Sequence, residues 1–178
     1  RIIKQQKRFE KAYSSILKEL NRKNIFIVNE KKLTGEQGEF VRTYFRQKVY
    51  PFLVPIMIET APKFPYLRDN SVYLAVRMTR KGSGSKSRYS LIEIPADLVS
   101  RFLVLPGSGG KQFVMLLDDV IRFCLKEIFS NFDYNHFEAY TIKMTRDAEL
   151  DLDKDVSKSL MEKISKSVKQ RKRGEPVR

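Results

Sequence analysis

The part of the sequence richest in reactive side chains is "YTIKMTRDAELDLDKD", residues 140–155. It begins as an alternating strand with Lys143 on its polar face, and the strand pattern ends at Arg146. Five carboxylates follow within nine residues: Asp147, Glu149, Asp151, Asp153 and Asp155. Carboxylates at a strand end can hold Mg²⁺, whereas carboxylates before a helix stabilise its first turn. The stretch therefore indicates either a metal-binding rim or a helix start.

The spacing of these acids favours the helix start. Asp147, Asp151 and Asp155 recur every four residues, and either Asp153 or Asp155 can cap the helix that follows. A Mg²⁺ site requires carboxylates that converge, and nothing in the spacing indicates convergence. Capping does not explain the two cations at the strand end. They are placed for ligand contact, and the alternative is a local Arg–carboxylate pair that only fixes the turn.

A phosphate-binding loop is the next candidate, in the glycine-rich stretch "LPGSGGKQF" at 105–113. A Walker A loop has the form G-x-x-x-x-G-K-[ST]. The first glycine of that pattern would fall at Leu105, and the hydroxyl residue would fall at Gln112. Both requirements fail, so the stretch is interpreted as a flexible connection between strands.

The remaining reactive side chains do not indicate catalysis or metal binding. His136 is the single histidine of the sequence, so no cluster of histidines can form within the chain. It lies in "FDYNHF", which is interpreted as a surface turn. Cys124 falls at a core position of an amphipathic helix and is interpreted as a small hydrophobic residue. We therefore predict no catalytic and no metal-ligating residue.

The net charge of +14 is concentrated at the two ends of the chain. Residues 1–24 and residues 157–178 each carry eight Lys or Arg and two Glu, and the residues between them hold only +2. Such a charge attracts polyanions, although two solvated helix faces would show the same composition. The C-terminal "KQRKRGEPVR" contains no aromatic residue to stack on a base, and the sequence carries no nucleic-acid-binding signature. Phosphate contact without base recognition fits this pattern better.

Hydrophobic periodicity predicts alternating helices and strands. The helix after residue 34 opens with a capping box, Thr34 to Gln37, and ends before Pro51; a later helix is predicted to be capped by Asp118. The predicted helices are 2–23, 34–49, 118–128 and 155–172. The predicted strands are 25–28, 71–79, 89–94, 102–106, 113–117 and 137–145, with a flexible loop at 80–88.

These elements predict one α+β domain with a mixed sheet, since several strands are joined as hairpins. We expect no signal peptide, and no apolar run of the sequence reaches the roughly 20 residues that span a bilayer. A single cysteine fits a reducing compartment, so a cytoplasmic location is expected.

The opening stretch and the chain end resemble the bacterial polyphosphate kinase family. The resemblance rests on "KMTRDAE", on "SLMEKISKSVKQRKRGEPVR", and on "NRKNIFIVNEKKLT", "YLAV", "LIEIP", "RFLVLP" and "LLDDVIRFCLKEIF" in the same order. It covers residues 1–178 and corresponds to the head, or middle, domain of that family. The resemblance implies a longer parent chain, of which this is one domain, with a basic helix at 1–24 and another at 155–173.

The resemblance also implies an activity. The parent transfers the terminal phosphate of ATP reversibly to long-chain polyphosphate through a phosphohistidine, with Mg²⁺, and the histidine and most ATP and Mg²⁺ contacts lie in later domains. This domain is then non-catalytic, binds no cofactor alone, and supports a dimer or higher homo-oligomer and a basic polyphosphate tunnel. Membrane association of the parent is left open; DNA or RNA partners are not expected, and the alternative is a generic nucleic-acid- or polyanion-binding module.

The fold implied by the resemblance is a two-layer sandwich with a mixed, largely antiparallel sheet, similar to phosphohistidine phosphatase. Basic residues at the strand end and in the C-terminal segment are expected to contact polyphosphate or a neighbouring domain, and Asp147 and Glu149 to support them. The expected contact residues are Lys143, Arg146, Lys169, Arg171 and Arg178.

Overall fold

A computed structural model describes residues 2–59, 65–80, 87–143, 145–146 and 176–177. Within these ranges the chain alternates between helices and strands. The helices are α1 (Ile2–Arg22), α2 (Gly35–Tyr44), α3 (Leu117–Phe123) and α4 (Leu125–Ile128). The strands are β1 (Ile25–Val28), β2 (Ile56–Met57), β3 (Val72–Thr79), β4 (Arg88–Glu93), β5 (Phe102–Leu105), β6 (Gln112–Leu116), β7 (His136–Lys143), β8 (Thr145–Arg146) and β9 (Pro176–Val177).

The strands are divided between sheets rather than joined in one. A three-stranded sheet has the order β1-β6-β5, with β1 and β6 parallel and β5 antiparallel to β6. A four-stranded antiparallel sheet has the order β2-β4-β3-β7, and β8 pairs with β9. The α+β class with mixed, largely antiparallel strands is confirmed, and the likeness to phosphohistidine phosphatase stays a prediction.

The main core is built from the inner faces of both larger sheets and the helices. It combines side chains of β3 and β4, such as Leu74 and Ile92, with Met115 of β6, Val41 of α2 and Ile121 of α3, all fully buried. Each such side chain contributes roughly 1.5–3 kcal/mol through removal of apolar surface from water. This shared core ties the sheets together and thereby fixes β7 relative to α3.

The predicted capping box is present at the start of α2. Thr34 Oγ1 accepts a hydrogen bond from the Gln37 amide at 3.2 Å, and Gln37 Oε1 accepts one from the Thr34 amide at 3.2 Å. Gln37 also donates through Nε2 to the Pro106 carbonyl at 3.0 Å, which ties α2 to the end of β5. The helix then widens into a π-helical turn, Phe45–Val49, and closes in a 3₁₀ turn that contains Pro51.

The predicted role of Asp118 as an N-cap is wrong. Leu116 occupies the N-cap position of α3, and Asp118 lies in the first turn of the helix. Its carboxylate accepts a hydrogen bond from the Thr141 hydroxyl of β7, a partner that local sequence does not reveal. The predicted helix 118–128 is also interrupted at Cys124, whose φ of −99° and ψ of 13° separate α3 from α4.

Helix α1 follows the predicted amphipathic pattern, yet none of its residues is buried. The apolar side chains Ile2, Phe9 and Ile16 are 74%, 69% and 56% exposed. Within the described ranges, no helix is long and apolar enough to cross a membrane.

Candidate functional site

The strand exit chosen from sequence is the natural starting point for a functional site. Lys143 ends β7, is exposed, and pairs in register with Val72 of β3. Arg146 lies in β8, opposite Pro176 of β9, so the fold brings Pro176 and Val177 beside the strand exit. The other predicted site residues lie outside the described residues. These are Asp147, Glu149, Lys169, Arg171 and Arg178.

A groove of about 730 Å³ runs between β7 and the helices α2, α3 and α4. Its basic lining consists of Lys31, Arg42, Arg122 and Lys126. Three aromatic side chains, a histidine and two carboxylates complete the chemically distinctive part of the lining: Phe123, Phe137, Tyr140, His136, Glu30 and Glu138. The groove is therefore a concave, cation-bearing surface along the strand that ends at Lys143.

The groove follows an edge of β7 that no strand occupies among the described residues. The Ile94 amide donates to the Val72 carbonyl, so even-numbered residues of β3 bond toward β4 and odd-numbered ones toward β7. Odd-numbered residues of β3 pair with even-numbered residues of β7, so the even-numbered residues of β7 bond toward β3. The odd-numbered residues of β7 therefore direct their backbone N–H and C=O groups toward the groove. Arg122 Nε donates to one of them, the Ala139 carbonyl, at 3.4 Å. A charged side chain thus covers the middle of this edge.

Arg122 is the centre of a hydrogen-bonded network that joins α3 to β7. Its Nη2 donates to Thr141 Oγ1 at 3.0 Å, and that hydroxyl donates in turn to Asp118 Oδ2 at 3.0 Å. Its Nη1 contacts Asp119 and lies 3.8 Å from Glu30 Oε2. The guanidinium is therefore held by one helical carboxylate, one loop carboxylate and two groups of β7, while Asp118 joins the network through Thr141.

Burial raises the pKa of one acid of this network, Asp119. Desolvation raises the pKa of Asp119 to about 6, Arg122 opposes the rise, and the nearby charges of Asp118 and Glu30 add to it. Asp118 Oδ1 is buried and accepts no hydrogen bond from the described residues, although Arg101 Nη2 lies 3.8 Å away. The negative charges beside Asp119 therefore exceed what Arg122 offsets, and the charged form of Asp119 is disfavoured.

A second ion-pair group fixes the groove wall on the α2 side. Arg46 Nε donates to Glu127 Oε2 at 2.8 Å, and Arg42 Nη1 donates to Glu127 Oε1 at 3.3 Å. These hydrogen bonds, the one from Arg46 above all, lower the pKa of Glu127. Arg42 also lies 4.7 Å over the Phe123 ring. Arg42 is thus engaged by the protein, as Arg122 is.

Lys31 and Lys126 differ from these arginines because they remain available to a ligand. Both are exposed, and no carboxylate of the described residues lies within 4.0 Å of either ammonium group. Each can therefore contact an anion without first breaking an ion pair in the described part of the chain.

The two other reactive residues behave differently from one another. His136 begins β7 rather than a turn, lines the groove, and places Nε2 3.4 Å from Glu138 Oε1. Cys124 is buried in the core, and burial raises its pKa to about 12, so its thiol stays protonated. Among the described residues, no group of three or more His, Cys, Asp or Glu side chains converges on a metal site.

Sequence reasoning missed the network around Arg122 and the two free lysines. A local signal exists, because Asp118, Asp119 and Arg122 stand at the three- and four-residue spacing of helical ion pairs. The contacts to Thr141 and Glu30 had no such signal, since they depend on how α3 packs against the sheets.

Comparison with known proteins gives a consistent result. The family model described as "Polyphosphate kinase middle domain" matches residues 36–178. Similar curated proteins include a polyphosphate kinase of Escherichia coli, 41% identical over 182 residues, which cover 100% of this chain and 26% of the relative. Another is a polyphosphate kinase of Vibrio cholerae, 42% identical over 174 residues, covering 96% of this chain and 24% of the relative.

A solved structure agrees with these sequence matches. The crystal structure of a polyphosphate kinase from Porphyromonas gingivalis superimposes with a TM-score of 0.72 at 26% identity, and the match covers 80% of this chain and 24% of that one. The chain therefore spans about a quarter of the length of the relatives that it matches.

Proposed function

The chain belongs to the polyphosphate kinase family, as its middle domain, and from this membership we propose that its full-length protein transfers the terminal phosphate of ATP to polyphosphate. The transfer runs reversibly through a phosphohistidine on a later domain, with Mg²⁺. This domain supplies no reacting group. Its role is to support assembly of the homo-oligomer and to guide the polyphosphate chain.

The observation that carries the guiding role is the pair of free cations in the groove. Lys31 and Lys126 flank a concave surface along β7, and Lys143 is exposed where that strand ends. Polyphosphate has about one charge per phosphate and no bases, so lysine and arginine side chains are sufficient to bind it. Arg146, Lys169, Arg171 and Arg178 are proposed to extend the same contact or to meet a neighbouring domain.

Arg122 and Arg42 have a supporting role in this proposal. Their guanidinium groups are held by carboxylates of α3 and α4, so they position β7 and α2 rather than bind phosphate. The two free lysines are then the groove residues whose removal weakens binding without loosening the walls.

The test is polyphosphate synthesis by the full-length protein with Lys31→Ala and Lys126→Ala combined. We expect synthesis to fall several-fold, mainly through a higher KM for polyphosphate primer, with the melting temperature nearly unchanged because both side chains are exposed. The matched control combines Lys48→Ala and Arg88→Ala, which removes the same charge from exposed positions away from the groove.

Equal losses of synthesis in the two variants would mean that only net charge matters, and would refute the proposal that the groove lysines guide polyphosphate. Addition of RNA at equal phosphate concentration separates the alternative function: comparable competition by RNA and polyphosphate at matched salt would favour a generic polyanion-binding module. Oligomerisation is tested separately by sedimentation velocity of the full-length protein.

A further inference from the structure

Both faces of the three-stranded sheet are apolar. On the inner face, Val28, Met115 and Leu103 align in register and are buried in the core. On the outer face, Ile27, Val114 and Val104 align in the same way. A sheet whose two faces are apolar is normally covered on both sides. We therefore expect other elements, such as helices, to pack on the outer face.

Helix α1 covers the β1 side of this outer face, and no described element covers the β5 side. Tyr13 and Leu17 line a cleft together with Ile27 and Leu116 of the sheet. At the far side, Phe102 and Val104 of β5 are 57% and 63% exposed.

The dimensions account for this incomplete cover. A helix is about 10 Å wide and strands are about 4.8 Å apart, so one helix over β1 and β6 does not reach β5. A second helix beside α1 would complete the layer.

We propose that residues 155–172 form this second helix and dock on the bare outer face of β5 at Phe102 and Val104. The sequence of this segment has an apolar stripe at four-residue spacing, which is typical of a helix that packs on one side. The stripe consists of Val156, Leu160, Ile164 and Val168. The proposal does not depend on the proposed function.

The β8–β9 ladder limits where this segment can go. Thr145 pairs with Val177 and Arg146 with Pro176, so residues 147–175 leave and return at one place. That place is near the sheet, because Thr141, four residues before Thr145, donates to Asp118, two residues after the end of β6. An 18-residue helix is about 27 Å long, and the eight residues before it can span a similar distance. The segment can therefore run the length of the sheet and return to β9.

Charge also permits helix 155–172 to lie beside α1. On a helical wheel, the six Lys and Arg of α1 fall opposite its apolar stripe, whereas Glu10 and Glu19 flank the stripe. The lysines at 158, 166 and 169 likewise fall on the side opposite the stripe of their own segment. Lys163 flanks this stripe and Arg171 falls in line with it in the last turn, so the apolar sides can meet from Val156 to Val168 while most cations of both helices face solvent.

The test is chemical cross-linking in the 178-residue chain with a short bis-maleimide. Val104→Cys is combined in turn with Leu160→Cys, Ile164→Cys or Val168→Cys, so that successive turns of the stripe are each tested. The native Cys124 is buried and protonated and does not compete. The matched controls combine Val104→Cys with Lys158→Cys or Lys166→Cys, which have similar tether lengths but lie opposite the stripe.

We expect at least one stripe pair to link within a single chain about tenfold faster than either control, because docking holds those thiols together. Equal rates for stripe and control pairs would overturn the proposal. Links only between two copies would also overturn it, because a second copy would then be the occupant.

A measurement without cysteines guards against variants that fold poorly. In the unaltered chain, amide hydrogen exchange at 155–172 should be slowed, and Val104→Lys should abolish that protection while β3 and β4 keep theirs. Rapid exchange of 155–172 in the unaltered chain would overturn the docking, and so would unchanged protection after Val104→Lys.

Discussion

Replacing Asp119 with Asn should stabilise the chain at neutral pH. The Asp119 carboxylate is largely buried beside Asp118 and Glu30, and its pKa is raised from 3.8 to about 6. Its charged form is therefore disfavoured in the folded state relative to the unfolded state. Asn removes that charge and keeps an oxygen that can accept from Arg122.

The magnitude follows from the pKa shift. A difference between 3.8 and about 6 corresponds to about 3 kcal/mol between the protonation states. The folded state binds the proton more tightly, so this contribution to stability is full below pH 3.8 and is lost as pH rises through about 6. Between those limits the slope is about 1.4 kcal/mol per pH unit, downward with rising pH.

Urea unfolding followed by circular dichroism from pH 4.5 to 7.5 measures this directly. Asp119→Asn should be about 1–3 kcal/mol more stable than the unaltered chain at pH 7.5, and the difference should shrink toward pH 4.5. Asp97→Asn, at an exposed position before β5, is the control for loss of one negative charge. An Asp119→Asn chain that is less stable at pH 7.5, by an amount independent of pH, would refute the reasoning.

Two further predictions concern the proposed enzyme. Arg146→Ala in the full-length protein should lower polyphosphate synthesis several-fold with the fold intact; near-normal activity with a loss of only ~0.2–1 kcal/mol of stability would show a local ion pair instead. The isolated 178-residue chain should acquire no acid-labile phosphate from labelled ATP, because its single histidine, His136, is paired with Glu138 and its glycine-rich loop lacks the Walker A residues. Labelled phosphate on His136 would contradict this.

Patterns confined to one element were predictable from the sequence. The capping box at Thr34 and Gln37 depends on residues three apart, and it is present as predicted. The alternation of Leu74, Val76 and Met78 correctly identified a strand with one side in the core. The family was predictable for a related reason, since ordered sequence segments carry it without knowledge of packing.

Predictions that depended on a distant partner were less secure. Asp118 has the residue type and position of an N-cap. Its carboxylate instead accepts a hydrogen bond from the Thr141 hydroxyl of β7, in the four-stranded sheet. Helix α1 has the periodicity of a helix that buries one side, yet much of that side is exposed in the described part of the chain. Periodicity identifies a side that can be buried and does not specify what covers it.

The sequence by itself therefore determined most of the described elements, the α+β class, the polyphosphate kinase family and the basic character of the chain. Only the tertiary structure decided which cations are free. Arg42 pairs with Glu127 of α4, and Arg122 reaches Glu30 and Thr141 of other elements, whereas no carboxylate of the described residues lies within 4.0 Å of the Lys31 or Lys126 ammonium group. The physical reason is the range of the interactions: helix caps and strand alternation act over a few residues, whereas ion pairing and desolvation depend on groups brought together from anywhere in the chain.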